Sequence, residues 1–261
     1  MDTMFKKLRR FNIIMGGLHF VQGVAMLFLA TTVIQTISEF SPRIVQFYIT
    51  YNAQTQSLET ASKPLFQLPF GILVAAFLLL SALAHAIISL PKNLNSVYNR
   101  DLAKGINKFR WFEYALSSSI MIVLIATLFG IYDIASLLLI FVLNSSMNLF
   151  GLLMEQLNEN KKTKIHWGPF VWGSISGLAP WVAILLYMIG TDNLDMTPWF
   201  VWAIVGTYFV AFNTFPINMV LQYKKVGKWS DYAYGERVYI TLSLVAKSIL
   251  AWLVLFGAMQ P

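Results

Sequence analysis

A lysine and a glutamate stand in stretches of sequence that are otherwise apolar, and together they could form a charged pair inside a membrane. Lys247 lies in the middle of YITLSLVAKSILAWLVLF, and Glu113 lies in RWFEYALSSS. A lysine at the centre of a membrane-spanning helix costs about 2.5–3.5 kcal/mol to insert, so a partner must offset that cost. We interpret these two residues as the only basic and the only acidic side chain that a membrane would have to bury. A buried amine beside one carboxylate is the chemistry of a protonated Schiff base and its counterion.

The composition indicates a polytopic helical membrane protein. Hydrophobic residues make up 57% of the 261 residues and charged residues only 12%, whereas soluble domains carry roughly 25% charged residues. The absence of cysteine excludes disulfides, thiol catalysis and thiolate metal sites. Apolar segments of about 20 residues recur along the chain, so we predict one all-α domain over residues 1–261, a bundle of seven transmembrane helices. The predicted spans are 11–35, 65–90, 108–130, 133–156, 167–190, 198–222 and 236–258.

The basic residues predict the orientation of the bundle. Sixteen of the 19 lysines and arginines fall in the segments 6–10, 92–110, 161–164 and 224–237. Lysine and arginine in short loops favour the cytoplasm, so we predict a cytoplasmic N-terminus and an extracellular C-terminus in the cell membrane. This distribution explains the net charge of +7 without a nucleic-acid partner, and it disfavours a G-protein-coupled receptor, whose N-terminus lies outside.

The long outer loop between the first two spans, residues 36–63, contains the run IVQFYITYNAQTQ. Its β-branched and aromatic residues predict a strand or a short hairpin. Two roles stay open for this loop: a lid or dimer contact, and a compact ordered loop without a partner.

Polar residues on the first two spans lie at a depth similar to that of the charged pair, counted at about 1.5 Å per residue. His19 and Gln22 lie one turn apart on the first span, and Ser81 and His85 lie one turn apart on the second. A histidine inside a span suggests a function, although a lone histidine is often only a hydrogen-bonded contact between helices. We predict that these four residues form a proton-accepting or hydrated cluster, with simple packing contacts as the alternative.

Seven helices with a lysine at mid-depth on the last one resemble the retinal-binding rhodopsins. The runs SLVAKS and RWFEYALSSS, together with the inward N-terminus, resemble the heliorhodopsins in particular. The resemblance implies a rhodopsin-like bundle in which Lys247 carries all-trans retinal as a Schiff base and Glu113 is the counterion. Ser243, one turn before the lysine on the same helix face, would hydrogen-bond near the pair.

The resemblance also implies the surroundings of the retinal and the assembly of the chain. His19, Gln22, Ser81 and His85 would match the polar cavity that the family has on its cytoplasmic side. The family is dimeric, with a short sheet in the first extracellular loop, which suits residues 44–54. The implied retinal pocket consists of Tyr114, Ser118, Met147, Gly151, Trp181, Phe212 and Phe215.

Departures from the pattern of proton pumps favour a sensory function. Ser243 stands where a pump has a second carboxylate, and Leu124 stands where a pump has a carboxyl proton donor. Phe212 and Met219 replace two tryptophans that are usual on the sixth helix. We therefore expect no ion pumping, because transport needs proton-relay groups on both sides of the switch.

We interpret the chain as a light-sensing photoreceptor with a slow photocycle, in which proton transfer is confined to the polar cluster on the cytoplasmic side. The expected partners are the lipid bilayer, a second copy of the chain and an unidentified cytoplasmic signalling protein. The main alternative is a light-driven proton or ion transporter or channel that uses the same lysine and glutamate. A colourless structural protein with an architectural ion pair is a third reading. An enzyme is disfavoured, since the sequence offers no metal triad and no activated nucleophile beyond the lysine.

Overall fold

The computed structural model describes residues 2–34, 41–159, 164–190 and 199–257, which form eight α-helices and one two-stranded sheet. The span ends predicted at residues 35, 198 and 258 and most of the basic segment 161–164 lie outside these ranges. All helices except α3 are long and apolar enough to cross a membrane, so the predicted seven-span bundle is confirmed and the chain is a multi-pass membrane protein. The helices are α1 Asp2–Phe28, α2 Phe70–Ser89, α3 Lys92–Ala103, α4 Lys108–Leu128, α5 Ile134–Leu157, α6 Gly168–Ile189, α7 Trp199–Tyr223 and α8 Tyr232–Gly257.

Two helical segments differ from the prediction on the side of the bundle where α1 begins, which we call the N-terminal side. Helix α1 starts at Asp2 rather than at residue 11, and Arg9 near its start donates through Nε to the Ser89 carbonyl at the end of α2, at 2.7 Å. Helix α3 is an unpredicted short helix in a segment that is too polar to cross a membrane. It buries Tyr98 and Leu102 against the bundle, and this burial stabilises the helix. In the sequence alone, the charged residues of the segment indicate a solvated loop.

The first outer connection is a long antiparallel hairpin of β1 Arg43–Asn52 and β2 Ser57–Gln67. The strand predicted at 44–54 is therefore in the right place, but β2 continues to Gln67 and α2 begins only at Phe70 rather than at 65. The residues just before Pro69 are apolar enough to be taken for the start of a span, but they form the end of β2 instead. The Val45 N–H donates to the Tyr132 carbonyl at 3.0 Å, which fixes the hairpin to the turn before α5.

Close packing of α1 against α2 determines where the histidine of α2 lies. Gly16 is buried, and a Cβ atom at that position would lie 2.7 Å from Cβ of His85. A Cβ at Gly23 would likewise lie 2.7 Å from a methyl carbon of Leu79. Small residues allow two helices in lipid to approach this closely, so the backbone of α1 lies directly against the side chain of His85.

We expect Gly16→Ala to destabilise the bundle, because the added methyl group overlaps the His85 side chain and overpacking of this kind costs about 1–3 kcal/mol. The neighbouring Gly17 is exposed and meets no atom within 4 Å, which makes Gly17→Ala the matched control. Thermal unfolding midpoints of both variants in the same detergent measure the effect. Equal midpoints for the two variants would contradict the close approach of α1 and α2.

Candidate functional site

Lys247 on α8 and Glu113 on α4 form an ion pair in the interior of the bundle. Lys247 Nζ lies 2.5 Å from Glu113 Oε1 and 2.5 Å from the Ser81 hydroxyl on α2. The Ser81 hydroxyl in turn lies 2.6 Å from Glu113 Oε1. Lys247 is only 3% exposed, so the carboxylate and the hydroxyl stand in for the water that its ammonium group has lost.

Ser81 and Ser243 both lie close to the ion pair, but they contact different groups. Ser243 is buried one turn before Lys247 and lies beside the Tyr114 side chain. The hydroxyl that contacts both members of the ion pair belongs to Ser81, because α2 packs directly against α4 and α8 at this depth.

The two buried histidines lie together on the N-terminal side of the ion pair. The rings of His19 and His85 stack with their centroids 5.7 Å apart, and His85 Nδ1 lies 2.8 Å from the side-chain oxygen of Asn12. An amide oxygen can only accept, so this contact assigns the ring proton to Nδ1 and leaves Nε2 of a neutral His85 able to accept a proton. Gln22 is half-buried, and its place in this cluster stays a prediction.

A cavity of about 280 Å³ opens on the other side of Lys247. The chemistry of this cavity fits a polyene aldehyde. Its wall is mostly aromatic and apolar, and the primary amine of Lys247 is the group on the wall that would react with an aldehyde. A side chain at Gly177 would overlap the Met147 sulfur, and one at Gly151 would overlap the Trp111 ring, so both glycines are needed for the shape of the wall. All seven residues expected in the pocket line this cavity: Tyr114, Ser118, Met147, Gly151, Trp181, Phe212 and Phe215.

Comparison with known proteins agrees with this arrangement. A family model for heliorhodopsin matches residues 8–259, nearly the whole chain. The chain belongs to the heliorhodopsin family. It is therefore a retinal-binding rhodopsin by family, with retinal as the implied chromophore. No curated protein matches the chain.

A second buried charged cluster lies toward the N-terminal side of this heliorhodopsin. The Arg110 guanidinium forms ion pairs with Glu155 and with Glu236, and all three side chains are at most 4% exposed. The prediction that Lys247 and Glu113 are the only buried base and acid is therefore wrong. These three residues stand at the ends of α4, α5 and α8, where sequence alone suggests solvated loop charges, and the fold turns them inward. We call Arg110, Glu155 and Glu236 the Arg110 cluster.

Neutral donors complete the hydrogen bonding of the Arg110 cluster. Glu155 accepts from the Trp111 indole N–H at 2.8 Å, from the backbone N–H of Asn107 at 2.8 Å and from the Tyr232 hydroxyl at 3.0 Å. Glu236 accepts from the side-chain amide of Asn107 at 2.6 Å and from the Tyr98 hydroxyl at 3.1 Å.

Asn12 and Tyr98 connect this cluster to the histidines. The Asn12 amide donates to the Tyr98 hydroxyl at 3.4 Å, and Tyr98 donates to Glu236. Burial raises the pKa of the Tyr98 hydroxyl well above its ordinary value, and the charge of Glu236 raises it further. Tyr98 therefore keeps its proton and remains a donor to that carboxylate.

A small polar cavity of about 40 Å³ lies between the ion pair and the Arg110 cluster. A water molecule needs roughly 10–15 Å³ of such space and several polar partners, and this cavity provides both. The sequence analysis did not assign Asn12, Asn107, Arg110 and Glu236 to this wall. The available signal was that Arg110, Glu155 and Glu236 fall just inside the predicted spans. The polar residues that line the cavity are Asn12, Ser81, His85, Asn107, Arg110, Glu113, Tyr114, Glu236 and Ser243.

Proposed function

We propose that this heliorhodopsin is a light sensor in which Lys247 holds all-trans retinal as a protonated Schiff base and Glu113 is its counterion. Bound retinal supplies visible absorption and a light-driven isomerisation. One observation carries the proposal: the Lys247 amine reaches both the aromatic cavity and the carboxylate of Glu113. It is also the only buried lysine in the ranges that the structure describes.

The ion pair defines the resting state of the sensor. A positive charge on the Lys247 nitrogen is costly in a low-dielectric interior unless an opposite charge contacts it. Glu113 provides that charge, and Ser81 holds the carboxylate by a hydrogen bond of 2.6 Å. If the Lys247 nitrogen moves away from the Glu113 oxygen, its positive charge loses the negative charge that stabilises it. The nitrogen then releases its proton.

The released proton stays on the N-terminal side of the site and is accepted by the histidine pair. His85 lines the small polar cavity together with Ser81 and Glu113, and its Nε2 is the free acceptor. The carboxylates of the residues classed as buried in the described ranges, Asp101, Glu155 and Glu236, all belong to helix ends on this same side. A transmembrane relay needs acceptors on both sides, so this distribution favours a sensor over a pump.

The basic residues assign this N-terminal side to the cytoplasm. The photochemical change then lies next to the cytoplasmic helix ends, where a signalling partner would read it. The hairpin would lie outside the cell, where one of its faces carries the exposed side chains Phe47, Ile49, Tyr51 and Leu58. A two-stranded sheet is marginally stable alone, and the homodimer that the family resemblance implies would cover this face.

We expect the double variant His19→Ala, His85→Ala to lengthen the time in which the Lys247 nitrogen loses its proton by roughly 100-fold, since a positioned general base contributes at least that much. Flash photolysis measures this time, and His166→Ala is the control because His166 is the third histidine of the chain and is exposed. Unchanged kinetics in the double variant would remove the histidine route. A sustained photocurrent from the wild-type protein under voltage clamp would instead favour the transporter or channel alternative.

We expect Ile49→Cys to be labelled by a membrane-impermeant maleimide on intact cells and to be crosslinked into dimers by a short bifunctional reagent. The chain has no cysteine of its own, and Thr50→Cys, on the opposite face of the hairpin, should be labelled but not crosslinked. Labelling only after permeabilisation would reverse the orientation. Equal crosslinking at both positions, or at neither, would contradict the dimer face.

A further inference from the structure

The Arg110 cluster carries an unbalanced charge in the interior of the protein. One guanidinium faces two carboxylates, so the fully ionised cluster has a net charge of −1. Among the described residues, no second cation contacts either carboxylate. Burial of an uncompensated charge is costly, and uptake of a single proton would neutralise this cluster.

The groups that face the cluster from each surrounding helix are neutral. They are Tyr98 from α3, Asn107 before α4, Trp111 from α4, Tyr223 from α7, and Tyr232 and Tyr239 from α8. Glu113 lines the same small cavity and is paired with Lys247, and the buried Asp101 of α3 is paired with Lys108 and Arg100. Among the described residues, no cation other than Arg110 contacts the cluster, and a proton from the small cavity would neutralise its remaining charge.

The two carboxylates differ in their ability to take up this proton. Glu155 accepts four hydrogen bonds, from Arg110, Trp111, Tyr232 and the Asn107 backbone, and each of them favours the ionised form. Glu236 accepts three hydrogen bonds. Glu236 also lines the small polar cavity, whereas Glu155 does not.

We propose that Glu236 is the site that holds the proton after it leaves the histidine pair. The N–H bond on the Lys247 nitrogen breaks, His85 Nε2 carries the proton through the small cavity, and an O–H bond forms on the Glu236 carboxyl. The charge of the Arg110 cluster changes from −1 to zero, and the return of the same proton restores the resting state without any co-reactant. This inference rests on the proposed light-sensing function and extends it.

The position of Glu236 gives this proton a structural consequence. Its hydrogen bonds join α8 to Tyr98 on α3, to Asn107 before α4 and to Arg110 on α4. A neutral carboxyl group binds these donors more weakly than a carboxylate does. Protonation of Glu236 therefore loosens α3 and the start of α4 from α8, at the end of the bundle where a signalling partner would bind.

Light-minus-dark infrared difference spectroscopy of the full-length protein reconstituted with all-trans retinal tests the proposal. We expect the carbonyl stretch of a protonated carboxylic acid to develop after the Lys247 nitrogen loses its proton and to decay as the resting state returns. Glu236→Gln should abolish this band, and Glu236→Asp should shift its frequency. Glu159→Gln is the matched control, because Glu159 pairs with Lys104 at the surface; it should leave the band unchanged.

The outcomes separate this inference from the proposed function. A wild-type protein that loses the nitrogen proton without developing a carboxylic acid band would overturn the role of Glu236 and leave the light sensor intact. A band that persists in Glu236→Gln, or one whose frequency Glu236→Asp leaves unchanged, would also overturn it. Failure of the wild-type protein to absorb visible light would instead overturn the proposed function itself.

Discussion

A positive charge on the Lys247 nitrogen can exist in the interior of this bundle only beside a negative partner, and the geometry of the site depends on this constraint. The partner, Glu113, comes from α4, and the hydroxyl that contacts both groups, Ser81, comes from α2. The ion pair therefore joins three helices at one point. The aromatic cavity lies on one side of that point and the small polar cavity on the other.

The polar groups are arranged on one side of the ion pair, and this asymmetry determines what the site can do. The small cavity is lined by Glu113 of the ion pair, by His85, and by Glu236 and Arg110 of the Arg110 cluster. A proton released from the nitrogen thus finds acceptors in one direction, which is suited to a reversible charge movement inside the protein. The same residues tie α3, α4, α5 and α8 together, so a change of charge is also a change in helix contacts.

The sequence predicts the seven spans and the ion pair because a charge inside an apolar segment, or an apolar segment of sufficient length, has few structural explanations. The residues of the aromatic pocket follow only from the family resemblance. The sequence does not predict the Arg110 cluster. Charges at span ends look the same in the sequence whether they face water or turn inward, and only the packing of the helices around them decides which. The spacing of Gln22 from His19 is helical, but the direction of its side chain depends on the rotation of α1, so its place in the polar cluster stays a prediction.

The most direct test of the account is a visible absorption spectrum of the folded protein expressed with all-trans retinal, recorded beside that of Lys247→Ala. We expect a visible band that hydroxylamine bleaches under illumination and that is missing from the variant. A folded wild-type protein without a visible band, or a variant that retains it, would contradict the assignment of Lys247 as the attachment site and with it the role of Glu113.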